Sequence, residues 1–107
     1  MKTVKTDLYY YQFIRKNPKF TGCVIDKNGS KYWLLNGKYH RTDGPAIEFA
    51  KGNKFWYLNG KKHRTDGPAV EFAGGSKLWY LNGECLTEEE WTYTVRLNKL
   101  GEFLNGS

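Results

Sequence analysis

Two near-copies of one polar segment hold most of the side chains that could do chemistry, NGKYHRTDGP from Asn36 to Pro45 and NGKKHRTDGP from Asn59 to Pro68. Each offers a histidine, His40 or His63, close to an arginine and an aspartate, Arg41 with Asp43 and Arg64 with Asp66. Histidine beside a carboxylate suits general acid–base work, and histidine is the commonest metal ligand. Neither chemistry is completed. Strands lie about 4.8 Å apart, so two strands per copy put the loops roughly 10 Å apart, whereas ligand nitrogens sit about 2 Å from a shared zinc ion. No Cys or further His completes either site, and no nucleophile or oxyanion arrangement accompanies the histidines. The residues therefore predict no metal, no cofactor and no catalytic centre.

The Arg and Asp side chains have two readings. In one, Asp before Gly-Pro accepts hydrogen bonds from its own turn and Arg pairs with it, so that HRTDGP is a recipe for a tight corner. In the other, Lys38, His40, Arg41, Lys61, Lys62, His63 and Arg64 form a cationic edge that receives a phosphate, a carboxylate or an acidic protein surface. Tyr57 and Tyr80 are the aromatic residues expected to join that edge in a partner site. Identity between two tandem copies does not separate the readings, because recent duplication alone produces it.

These loops recur because the chain does. GSKYWLLNGKYHRTDGPAIEFAK starts at Gly29, GNKFWYLNGKKHRTDGPAVEFAG at Gly52 and GSKLWYLNGE at Gly75, a period of 23 residues. Self-similarity of this kind marks stacked units, none of which buries its apolar face alone. The repeats occupy 29–51, 52–74 and 75–86. Residues 1–28 read as a degenerate copy or cap, with Gly22 to Ile25 roughly in the place of Gly44 to Ile47. Runs such as AIEF and KFWYL, joined across Lys51-Gly52, read as hairpins.

Alternation of period two places Trp33, Trp56 and Trp79 on one face with Leu35, Leu58 and Leu81, and Tyr32, Phe55 and Leu78 on the other with Leu34, Tyr57 and Tyr80. The Trp/Leu column, recurring unchanged, is the expected core, packed on Ile47, Phe49, Val70 and Phe72. The second column then needs a cover from this chain, a second chain or a ligand. From residue 87 the texture becomes helical. Thr87 and Glu90 form a capping box, Glu88 to Glu90 suit the helix dipole, and Trp91, Val95 and Leu100 share a face that Gly101 is expected to end. The fold class predicted is mainly β, an antiparallel meander of six to eight strands over roughly residues 8–82 with a C-terminal capping helix near 88–99 and a short tail to 107.

Aromatic residues make up 17% of the chain, with 4 Trp and 8 Tyr, so the core is expected to be aromatic. The net charge of +6 is uneven, +5 over residues 1–50 and −2 over residues 75–107. Cys23 and Cys85 lie outside any Cys-x-x-Cys pair and are expected to be reduced and partly buried. The N-terminus has no apolar centre of the signal-peptide kind, which points to the cytoplasm.

The period, the pattern W-x-L-N-G-K-x-H and the Gly before each aromatic strand together resemble the MORN repeat, most closely its variant form, over residues 29–83. Repeats with H-R-x-D-G-P-A are also similar to those of small proteins of large bacteriophages and giant viruses. The resemblance implies an interaction module, and by extension an accessory protein that inhibits a host defence factor in the host cytoplasm. The leading expectation is therefore a non-enzymatic protein-binding module whose partner presents an acidic surface. The alternative is a nucleotide or nucleic-acid binder, with Tyr and Trp stacking bases and Lys and Arg meeting phosphates. A third is anionic-membrane association through Lys2, Lys5, Arg15, Lys16 and Lys19 beside Tyr9, Tyr10, Tyr11 and Phe13. Unprotected sheet edges and the spare aromatic column also point to a homodimer.

Overall fold

Short β-favouring runs broken by Gly-containing turns fold into eleven strands. The computed structural model describes residues 2–104, so the expected tail at 105–107 lies outside it. In chain order come β1 (Thr3–Lys5), α1 (Tyr10–Lys16), β2 (Gly22–Ile25), β3 (Lys31–Leu35), β4 (Lys38–Tyr39), β5 (Ile47–Glu48), β6 (Lys54–Phe55), β7 (Tyr57–Leu58), β8 (Lys61–Lys62), β9 (Val70–Glu71), β10 (Lys77–Leu81), β11 (Glu84–Leu86) and α2 (Glu88–Leu104). Nine of the strands form one sheet, in which β1 runs parallel to β2 and the other pairs are antiparallel; β7 and β8 pair separately. The strand count exceeds the expected range because Lys38–Tyr39 and Lys61–Lys62, which follow Asn36-Gly37 and Asn59-Gly60, are strands and not loop, and because β1 and β11 lie outside residues 8–82.

Backbone hydrogen bonds recur at the spacing of the sequence. Asp26 N–H donates to the Ser30 carbonyl, Phe49 N–H to Asn53 and Phe72 N–H to Ser76; Trp33 N–H donates to Ala46 and Trp56 N–H to Ala69. Val24, Ile47 and Val70 stand opposite Tyr32, Phe55 and Leu78. Val24 is thus the counterpart of Ile47, one position away from the alignment expected for the N-terminal copy. Ahead of this partial copy stands the helix Tyr10–Lys16, which the sequence reading did not include. Its Tyr9 N–H donates to the Gln12 side chain, and Tyr10, Phe13 and Ile14 share the apolar face.

The two faces of the sheet differ in kind. One carries the row Val24, Tyr32, Ile47, Phe55, Val70 and Leu78, built from directly opposed partners. The other carries Lys31, Glu48, Lys54, Glu71 and Lys77, a ladder of alternating charge beside the tryptophans. Opposite charges across strands favour this register. The N-terminal core lies on the first face, where α1 packs Phe13 onto Val24 and Leu34, and Tyr32 is buried under Tyr10. At the other end α2 covers the tryptophan face, with Trp91 and Val95 on Leu81, Trp79 and Leu86. The two helices therefore cover opposite faces at opposite ends.

This arrangement corrects the expected core. Trp33, Trp56 and Trp79 are half-buried and Leu35 is exposed, while Tyr32 and Leu34 of the other column are buried; only at the C-terminal end does the Trp/Leu column enter a core, where Leu81 is buried with Trp79 under Trp91 and Leu78 of the other column is exposed. The large amphipathic rings sit beside a charged ladder, and the cover supplied by α1 lies on the tyrosine face. A second correction concerns Gly101, which does not end α2; the helix continues to Leu104. Leu100, expected to face the sheet, is exposed. The cysteines are free, Cys23 buried and Cys85 exposed, so the expectation of partial burial for both does not hold. No helix of the described residues is long and apolar enough to cross a membrane.

Candidate functional site

Asn36 and Gly37 both have positive φ, 52° and 81°, and so do Asn59 with Gly60, at 50° and 82°. That pair of conformations is the two-residue turn whose twist matches a hairpin. Lys38, Lys61 and Lys62 therefore sit on strands and not in the loops to which the sequence reading assigned them. Beyond each hairpin the chain leaves the sheet and returns. His40 N–H donates to the Trp33 carbonyl, and Trp33 N–H donates to Ala46, so residues 41–45 form an excursion closed on one strand residue. The same bonds join Trp56 to His63 and Ala69, closing residues 64–68.

Arginine holds each excursion shut. Arg41 Nε donates to Asp43 Oδ1 at 2.9 Å and Nη1 to the Pro45 carbonyl at 3.1 Å, with the guanidinium carbon 3.8 Å from the centre of the Trp33 ring. Arg64 repeats this with Asp66 at 2.8 Å, the Pro68 carbonyl at 3.0 Å and the Trp56 ring at 3.9 Å, and adds Glu71 at 2.9 Å. The glycine of Asp-Gly-Pro is needed for this approach, since a Cβ at Gly44 or Gly67 would stand 2.9 or 2.7 Å from the guanidinium carbon. The hydrogen bond from Arg41 and its charge hold Asp43 below the usual carboxylate range, and the bond from Arg64 does the same for Asp66. The geometry is that of the corner-forming reading.

The histidines also have a structural task. Asn59 N–H donates to His40 Nδ1 and Asn82 N–H to His63 Nδ1, both at 2.9 Å. Each histidine thus satisfies the left-handed Asn of the next hairpin, which Thr21 Oγ1 does for Asn36 at 2.9 Å. Burial lowers the pKa of His63. Accepting at Nδ1 fixes the tautomer that carries its proton on Nε2. Among the described residues no group of three or more His, Cys, Asp or Glu is placed to hold a metal ion.

Between the two excursions opens a cleft of about 470 Å³, with Trp56 and Leu58 on its floor and Arg41, Asp43, His63, Arg64 and Asp66 among its walls. The structure therefore brings Arg41, His63 and Arg64 together. Register places Lys38, His40 and Lys61 on the same tryptophan face, opposite Leu35, Trp33 and Leu58. Lys62 pairs with Tyr57 and lies over the Tyr80 ring at 4.9 Å, so Lys62, Tyr57 and Tyr80 belong to the other face. One continuous basic edge does not form. Trp56, Leu58, Asp43 and Asp66 line the cleft although the sequence reading did not place them in a site. The signal lay in the recurrence of Arg eight residues from a Trp, which had been divided between loop and core.

The cleft presents polar walls whose cations already face carboxylates, above an apolar floor. Such a lining suits a neutral or partly polar side chain better than a free multivalent anion. Comparison with protein-family models, with curated proteins and with solved structures finds no match.

Proposed function

We propose that the chain is a non-enzymatic protein-binding module, a set of tandem hairpin repeats of the MORN-variant kind, and that the cleft between residues 41–45 and 64–68 is its recognition surface. The observation that carries this reading is the pre-set geometry of the cleft walls, where each arginine is fixed by a carboxylate, a carbonyl and an indole. Walls already held in place lose little rotamer freedom on binding, and buried Trp and Arg are the commonest binding anchors. Lys38 and Lys61 are exposed beside the cleft, which supports a partner with acidic groups around the contact. Likeness to repeats of phage and giant-virus proteins supports the further reading of an accessory protein that inhibits a host factor in the cytoplasm.

The alternative, binding of nucleotides or nucleic acid, draws on the opposite face, where Lys62 lies over Tyr80 and Tyr57 is half-buried nearby. Affinity capture from host lysate with and without nuclease separates the two. The module reading expects one protein retained in stoichiometric amount after nuclease treatment. Loss of every retained species on nuclease treatment, or retention of a small molecule alone, overturns it.

A further inference from the structure

The charged ladder and the apolar row of the other face both stop one strand short at the C-terminal end. Lys54 stands between Glu48 and Glu71, and Val70 stands between Phe55 and Leu78. Lys77 and Leu78 have β9 on one side, and among the described residues no strand on the other. In the first copy β4 and β5 follow each other along one side of β3. On β10 the first of these places is taken by β11, along Trp79 to Leu81, and the second is empty. The residues one period beyond Val70 and Glu71 are Tyr93 and Thr94, which lie in α2. Exposure follows, with Tyr32 buried, Phe55 half-buried and Leu78 exposed. A third group marks the empty place. Ser30 Oγ accepts from the Ala50 N–H at 3.0 Å and Asn53 Oδ1 from the Ala73 N–H at 2.8 Å, each two residues beyond the ladder glutamate. One period on, the acceptor is Ser76, which is exposed, and the donor would be Arg96, which lies in α2.

We infer that the free edge of β10 at Lys77 and Leu78 binds an extended segment of a partner protein, antiparallel to it, with an aliphatic residue opposite Leu78, an acidic residue opposite Lys77 and an apolar residue next. This rests on the protein-binding reading above and adds a surface outside the cleft. An added strand supplies main-chain hydrogen bonds and sends alternate side chains to alternate faces. Its aliphatic and apolar residues join Val70 and Leu78 on the tyrosine face, as Val70 stands opposite Phe55 and the Phe72 ring lies 6.2 Å from that of Phe55. Ser76 Oγ receives the N–H two residues beyond the acid.

The acidic residue follows from charge complementarity. Lys54 has a glutamate on both sides and Lys77 on one, so an acid in the empty place completes the ladder with a favourable cross-strand pair. Lysine on an edge strand commonly discourages pairing. Here the same lysine recurs at 31 and 54 inside the sheet, so Lys77 belongs to the repeat and is not an edge device. A second copy of the chain is a poorer occupant. With Val4 of its outer strand β1 laid antiparallel against Leu78, Lys5 falls opposite Lys77, and like charges across strands are unfavourable.

The probe is a peptide with the sequence of residues 66–74 of this chain, DGPAVEFAG, blocked at both ends, beside its Glu71→Lys version. Both are titrated into the isotope-labelled full-length protein and followed by NMR. The expected result is saturable shifts at Ser76, Lys77 and Leu78 with a Kd below about 1 mM, at least about tenfold weaker for the Glu71→Lys peptide. The protein variant Lys77→Glu should reverse that order, and binding gained by the Glu71→Lys peptide shows that the variant is folded. Independently, Ser76→Ala at an exposed position should weaken the first peptide about threefold. Absence of saturable shifts, shifts centred on Thr42 and His63 at the cleft, an order unchanged in Lys77→Glu, or full affinity in Ser76→Ala each overturns the assignment. Self-association of the wild type that Lys77→Glu abolishes gives the edge to a second copy and overturns it too. If wild type and Lys77→Glu retain the same lysate protein while the peptide fails to bind, the edge assignment is wrong and the module reading stands. If wild type retains no protein, the module reading fails whatever the peptide does.

Discussion

Trp91 lies over Trp79 with ring centroids 4.7 Å apart, as Arg64 lies over Trp56 at 3.9 Å and Arg41 over Trp33 at 3.8 Å. Each tryptophan of the series has a flat group against its ring, a guanidinium at Trp33 and Trp56 and the Trp91 indole, tilted by 53°, at Trp79. The last comes from the helix because the position one period beyond Arg64 is Thr87, which instead accepts from Glu90 N–H and so starts α2. The same place in the pattern that closes an excursion in the first two copies opens a helix in the third.

Removing that last cover should detach the helix. Trp91 is 9% exposed and is the largest side chain joining α2 to the sheet. Trp91→Ala is expected to cost about 3 kcal/mol, in the lower part of the range for aromatic truncation in a core. Denaturant unfolding measures the loss, and hydrogen exchange should show residues 92–100 losing protection ahead of β2 and β3. A loss under about 1 kcal/mol with unchanged protection would mean that α2 is held by something other than this ring.

The two arginines should differ in a fixed order. Both close an excursion and cover a tryptophan, but Arg64 also pairs with Glu71, which is partly buried. Arg64→Ala is expected to cost about 2 kcal/mol and Arg41→Ala about 1 kcal/mol, since charge-assisted bonds at partly buried sites are worth more than exposed ones. Urea titration of the two single variants gives the order. Equal losses, or the reverse order, would remove Glu71 from the account.

How much of this was legible depended on the kind of information each element needs. The period, the Asn-Gly turns and the Thr87–Glu90 capping box are local and were read from residue types alone. The division of the aromatic strands into a Trp/Leu face and a second face followed from alternation and holds in the structure, but Ile47 and Val70, expected against the Trp column, stand opposite Tyr32, Phe55 and Leu78 on the other face. Which face is covered is a different matter, because it depends on where α1 lands. Its apolar positions Tyr10, Phe13 and Ile14 have helical spacing, and Pro18 follows, but residues 1–28 read as a degenerate copy or cap with no helix assigned to them. With α1 unseen, the recurring Trp column was the natural core. Gly101 was expected to stop α2 on propensity, yet a glycine within a helix costs only about 1 kcal/mol relative to Ala. Within the candidate site, Arg41 and Arg64 stand out in the sequence, but their contact with Trp33 and Trp56 is invisible until the excursion folds back over the strand.

Two glycines at the same position of equivalent turns should respond very differently. Gly37 and Gly60 have φ of 81° and 82°, so alanine is strained at both. A Cβ at Gly60 would meet only the Lys38 side chain at 3.7 Å, whereas at Gly37 it would run into the Pro18 carbonyl oxygen. Gly60→Ala is therefore expected to cost about 1 kcal/mol, the cost of the left-handed conformation alone. Gly37→Ala should cost at least about 3 kcal/mol, because backbone must move. Thermal melts of the two variants test the difference, and similar melting temperatures would show that the segment at Pro18 gives way easily.

His63 should make stability depend on pH in a defined direction. Burial lowers its pKa from the ordinary 6.5, so the folded chain prefers the neutral ring. The unfolded chain then binds a proton at a higher pH than the folded one. The stability contributed by the neutral ring is fully present above pH 6.5 and is lost as pH falls through the folded value. Geometry gives the same sign, since Nδ1 accepts from Asn82 N–H at 2.9 Å and a proton there would end the bond. Melting temperature measured between about pH 7.5 and 5.5 should fall in the wild type. In His63→Gln, whose side-chain oxygen can still accept from Asn82 but does not titrate, the fall should be smaller. A fall of the same size in both proteins would place the titrating group elsewhere, and a wild-type melting temperature that rises on acidification would contradict the neutral ring in the folded state.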